Sequence, residues 1–180
     1  MKKLAVIMLL VFSVYAALPA RGAAGQAAKS GDLEELIIRA LWNLPRYNVF
    51  DSLAFKIDEG SVVTLLGQVI FPILKKEAGD RVAKIPGVAK VVNSIEVLPL
   101  SENDDSIRIR AYRALFGTAD LYRYAMGANP SIHIIVKGGH ITLEGTVSTK
   151  SDADLALLSL RGIPGSFSAK SNLKIENPGK

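Results

Sequence analysis

The sequence predicts an α+β protein, a signal peptide followed by two tandem copies of a small helix-strand-strand-helix-strand domain. Three observations predict it. First, Gly60–Val69 and Gly138–Val147 both open on glycine and then alternate apolar residues. Val63, Leu65 and Val69 in one are matched by Ile141, Leu143 and Val147 in the other. Residues two apart share one face of a strand. Second, the spacing of 78 residues persists downstream, where Ile85-Pro86-Gly87 returns as Ile163-Pro164-Gly165. Gly67 and Gly145 keep the same spacing, and a glycine inside a strand marks a bulge or a close backbone approach. Third, an apolar run from Leu4 to Leu18 follows Lys2 and Lys3. It is short for a membrane span and suits the core of an export signal.

The expected signal peptide is 1–24. Small residues permit cleavage after Ala16 or Ala24, and an uncleaved anchor is the other reading of the same run. Residues 25–31 read as a flexible start of the mature chain. Asp32 is expected to cap the first helix, with Glu34 and Glu35 favoured by its dipole. Leu33, Leu36, Ile37, Ala40, Leu41 and Leu44 recur at helical spacing, and Pro45 ends the helix. Leu53–Ile57 is a strand, Asp58-Glu59-Gly60 a hairpin turn and Val62–Val69 its partner. Pro72 opens a second helix that runs to about Lys84, with Ile73, Leu74, Ala78, Val82 and Ile85 as inward residues. Pro86-Gly87 stops it, and Val88 to Val97 supplies a third strand.

The first domain spans 32–98, an acidic linker 99–105, and the second domain 106–176. In the second, Arg113-Ala114-Leu115-Phe116 repeats Arg39-Ala40-Leu41-Trp42 at a spacing of 74, so four residues are inserted before the next strand. The insertion falls within Gly117–Pro130. Ile132–Val136 and Ile141–Val147 form the second hairpin, Asp152–Arg161 the next helix and Ala169–Ile175 the last strand.

The chain has no cysteine, so disulfides, thiol catalysis and lipid attachment at the export signal are excluded. Removal of residues 1–24 leaves 19 basic and 17 acidic side chains. The basic excess lies in residues 106–180, with ten basic and five acidic groups, so an anionic partner is expected there. His133 and His140 read as a strand residue and a turn residue rather than metal ligands. Asp152 and Asp154 read as helix-start residues rather than acid–base catalysts. Gly138-Gly139 lies between strands, which favours a hairpin over a phosphate loop. No cofactor is expected.

These motifs resemble BON domains, the bacterial module named for OsmY and nodulation proteins. The first copy carries the pattern on Gly60, Val63, Leu65, Gly67, Val69, Ala78, Gly87, Val88, Val92, Asn93, Ile95 and Val97. The second carries Gly138, Ile141, Leu143, Gly145, Val147, Ala156, Gly165, Asn172, Leu173 and Ile175, and departs at Ser166 and Ala169. Gly60, Gly67, Gly87, Gly138, Gly145 and Gly165 are its structural glycines. The resemblance implies α/β sandwiches, each a three-stranded mixed sheet with two helices on one face. It also implies a non-catalytic periplasmic protein of the envelope or osmotic stress response, peripheral to a phospholipid membrane or assisting envelope proteins like a chaperone.

One surface stands out. With Ile107, Ala111, Ala114 and Leu115 turned inward, Ile109, Tyr112 and Phe116 fall on the opposite side of their helix, flanked by Arg108 and Arg113. Tyr122, Arg123 and Tyr124 extend the patch. Apolar and aromatic residues rimmed by arginine suit anionic headgroups. Ile38 and Trp42 occupy the equivalent positions in the first copy, so packing of one domain on the other is the competing reading, with an envelope protein client as a third. An export signal and a small mature charge argue against nucleic acid.

Overall fold

The computed structural model describes residues 30–127 and 129–176. The expected export signal, 1–24, lies outside them, as do most of 25–31 and residues 177–180. Among the described residues, no helix is long and apolar enough to cross a membrane.

In the first domain, α1 (Ser30–Trp42) is followed by β1 (Ser52–Asp58), β2 (Val62–Val69), α2 (Pro72–Val82), β3 (Lys90–Asn93) and β4 (Glu96–Val97). In the second, α3 (Glu102–Phe116) is followed by β5 (Ile132–Lys137), β6 (His140–Val147), α4 (Lys150–Ser159), β7 (Ser168–Ser171) and β8 (Lys174–Ile175). Each third strand is thus two short pieces. In both sheets the hairpin pairs antiparallel and the last strand pairs parallel to the central one.

The helices cover one face because their apolar stripes meet the odd-numbered residues of the central strand. Leu33, Ile37 and Leu41 recur every four residues on α1 and are buried against Val63, Leu65 and Val69. Burying one such side chain contributes about 1.5–3 kcal/mol. The second core repeats this with Ile107, Ala111 and Leu115 against Ile141, Leu143 and Val147.

The six expected structural glycines all have positive φ. At Gly67 and Gly145 the demand is twofold. With φ of 115° and 116°, a Cβ there would stand 2.0 and 2.1 Å from the carbonyl oxygens of Ser52 and Ser131. The hairpin partner crosses too closely at this point for any side chain.

Four local expectations need correction. The first helix begins at Ser30, so Asp32 sits in its first turn and is not the cap. The acidic stretch 99–105 is mostly helix: Ser101 caps α3 by accepting from the Asp104 amide, and Glu102, Asp104 and Asp105 fill its first turn. Acidic residues behind a serine favour a helix N-terminus, and only 99–101 remain as connector. Leu36 and Ile73 are exposed, since the apolar stripes of α1 and α2 are narrower than the spacing suggests. At the start of α4 the cap is Thr149, three residues before the expected helix start.

Candidate functional site

α3 is built to present residues in three directions. Its cap and acidic first turn set its start, and Ile107, Ala111 and Leu115 are fully buried on the sheet. A second face is covered by the first domain. The segment 47–51 lies along the outer edge of β5, where the Ile134 amide donates to the Val49 carbonyl at 2.7 Å. Val49 belongs to the second domain's core, and Phe50 packs against that core. The Phe50 ring meets Tyr112 edge-on at 6.2 Å, and Tyr112 meets Phe116 at 5.1 Å.

This placement divides the eight candidate surface residues. Ile109, Tyr112, Arg113, Tyr122 and Arg123 are exposed, with Ile109 and Tyr122 at 50% and 58%. Arg108, Phe116 and Tyr124 are buried and correct the expectation. Helical geometry alone gave α3 one covered face, whereas the sheet and the 47–51 segment cover two. The Arg108 guanidinium donates to Asp105 and, at 2.7 Å, to the Val136 carbonyl. Its charge also reaches Asp51, which is fully buried and accepts from the Asn48 and Ile70 amides. Phe116 is buried in the core cluster that also takes in Val49 and Phe50 of the first domain. Its counterpart Trp42 is 60% exposed, at the rim of a cleft that second-domain residues also line.

Tyr124 is held by a polar network inside the four-residue insertion. Its hydroxyl donates to Asp152 at 2.9 Å and accepts from the Ser148 amide at 3.0 Å. Arg123 pairs with the same carboxylate at 2.8 Å. Burial pushes the Asp152 carboxyl upward, but Thr149, Tyr124 and Arg123 outweigh it and hold it below the usual carboxylate range. Arg123 is therefore exposed yet already engaged.

Asp104 was not singled out by sequence. It is buried, and its two carboxylate oxygens accept from the Gly138 and Gly139 amides at 2.8 Å each. The two amides that a phosphate loop would offer an anion are occupied by the protein's own carboxylate. The signal available in sequence was a carboxylate three residues behind a capping serine, which reads equally well as dipole stabilisation.

His133 lies between the domains. Its Nε2 is 3.5 Å from the Tyr47 hydroxyl, with ring centroids 5.4 Å apart. Burial lowers the His133 pKa and pushes the Tyr47 phenol up to about 12. A cleft of about 410 Å³ adjoins them, lined also by Trp42, Glu144, Asn172 and Lys174. His140 contacts the Ser168 hydroxyl at 2.8 Å. Among the described residues no three His, Cys, Asp or Glu side chains gather as a metal site.

Among the described residues Phe167 is the most exposed aromatic, at 78%. It replaces Ala89 of the first copy and lies over Gly139 in the turn after α4, beside Arg161. A comparison of the two repeats at this position would have found it.

The profile of the BON domain family matches residues 44–99 and 121–175. A search of curated proteins finds no match. Among solved structures, CdsD, a structural protein of the type III secretion system of Chlamydia trachomatis, is 14% identical with a TM-score of 0.29, covering 83% of this chain and 94% of its own. The C-terminal domain of CdsD is 14% identical with a TM-score of 0.28, covering 83% and 98%. A likeness at these scores carries no functional argument.

Proposed function

From the premise that this chain belongs to the BON domain family, in two tandem copies, we propose that it is an exported, periplasmic, non-catalytic protein that binds anionic phospholipid surfaces through its second domain. BON domains are a phospholipid-binding, envelope-associated family and are generally non-catalytic. The observation that carries the reading is the pairing of exposed apolar residues with exposed arginines in the basic domain. Ile109 stands one helical turn from Arg113 on α3, and Phe167 shares a shallow cleft with Arg161. Apolar side chains enter the headgroup boundary while arginines meet lipid phosphate. Tyr122 extends the α3 side.

Flotation with liposomes tests this. The protein is expected to float with anionic vesicles and not with neutral ones, and less at high salt. Arg113→Glu with Ile109→Asn, and Phe167→Ala with Arg161→Glu, are expected to weaken flotation while circular dichroism stays unchanged. A wild-type protein that stays unbound with anionic vesicles at low salt overturns the proposal.

A further inference from the structure

The two domains are copies, but only one has its outer sheet edge covered. By register, Leu53 opposite Gly67 is the counterpart of Ile132 opposite Gly145, so Leu53, Phe55 and Ile57 correspond to Ile132, Ile134 and Val136. The second-domain residues are all fully buried, whereas Leu53 and Phe55 are half-buried and Ile57 is 36% exposed. The cause is the segment 47–51, which lies between α3 and β5 with Val49 in the core and its carbonyl bonded to β5. No described segment takes the equivalent place between α1 and β1.

That place is a continuous groove. A cavity of about 570 Å³ lined by Leu33, Glu34, Phe55 and Ile57 adjoins one of about 270 Å³ that also includes Ile38 and Trp42. β1 forms its ladder with β2 alone, so the backbone groups on its other edge have no strand partner. Ser52, Leu53 and Ala54 also line the cleft against the second domain, and the edge beyond them, 55–58, spans about 13 Å at ~3.3 Å per residue. Glu34, Asp58 and Glu59 gather at the far end.

We propose that this groove binds an extended segment of another polypeptide as an added strand on β1, with apolar residues at alternate positions and a basic residue at the acidic end. In the copied position the molecule covers the edge with a segment of its own, a turn at 48–51 whose Val49 carbonyl accepts from the Ile134 amide. An open strand edge offers alternating donors and acceptors, which an extended backbone matches. Alternate side chains then enter the groove beside Leu53, Phe55 and Ile57. This inference is independent of the lipid reading.

Trp42 is the sole tryptophan and lines the groove, so its emission reports occupancy. The purified protein, without lipid, is titrated with a blocked peptide KTVTVTVT and with KTTTTTTT. The expected result is a saturable blue shift with the first peptide only. Ile57→Lys and Glu34→Lys, both at exposed positions and checked for folding by circular dichroism, are expected to weaken binding about tenfold or more, a loss of about 1.4 kcal/mol. Absence of a saturable shift at millimolar KTVTVTVT overturns the proposal, as does binding that neither variant alters. A concentration-dependent dimer that Ile57→Lys abolishes, without peptide binding, assigns the groove to a second copy and likewise overturns it.

Discussion

Asp104→Ala is the sharpest test of how the second domain is held together. The carboxylate is buried at 1% exposure and accepts two backbone bonds of 2.8 Å from Gly138 and Gly139. A hydrogen bond to a charged group contributes about 1.5–3 kcal/mol, and removing the acceptor leaves the amides unpaired near the protein interior. Truncation is expected to cost about 3–5 kcal/mol, offset by roughly 0.5 kcal/mol from the better helix propensity of alanine. At an m-value of ~2 kcal/mol/M, the urea midpoint of the second domain falls by about 1.2–2.2 M. Asp104→Asn keeps one acceptor and is expected to fall between. Glu102→Ala is the control, because Glu102 shares the first turn of α3 but is exposed. Its loss removes only a dipole interaction of about 0.3–1 kcal/mol. Urea unfolding followed by far-ultraviolet circular dichroism gives the midpoints. Equal, small shifts for Asp104→Ala and Glu102→Ala would refute the clamp and reduce Asp104 to a first-turn charge.

Two further outcomes follow from the geometry. Gly145→Ala and Gly67→Ala place a methyl about 2 Å from a carbonyl oxygen at unfavourable φ, so each is expected to cost more than about 2 kcal/mol. Gly60→Ala, with positive φ but open space, is expected to cost only about 1 kcal/mol; thermal unfolding midpoints separate the two cases, and equal losses would contradict the close approach. His133 is half-buried and its pKa is lowered, so below its unfolded value of about 6.5 the unfolded state binds the proton first. Stability from this group is therefore present above about pH 6.5 and lost as pH falls towards the lowered folded value, and His133→Gln is expected to flatten the fall in urea midpoint between about pH 7 and pH 5.5; an unchanged slope would contradict it.

The duplication, the element order and both cores were legible because they are written in local periodicity. Val63, Leu65 and Val69 and their copies Ile141, Leu143 and Val147 face inward by alternation alone, and Ile37 and Ala111 by helical spacing. Gly67 and Gly145 announced a close approach by interrupting matched strands. Helix starts were less legible, since serine and acidic residues near 30 and 101 suit a cap, a first turn or a linker equally well. What the sequence could not decide was which outward face of α3 meets solvent. That depends on the segment 47–51, more than 50 residues upstream, laying Val49 and Phe50 against β5 and α3. Contact between distant segments leaves no period in either of them. Arg108 and Phe116 are buried on α3, while Ile109 and Arg113 stay outside. The contact made by 47–51 also distinguishes the covered edge of β5 from the edge of β1, so two copied strands with different sequences end as one joint and one groove.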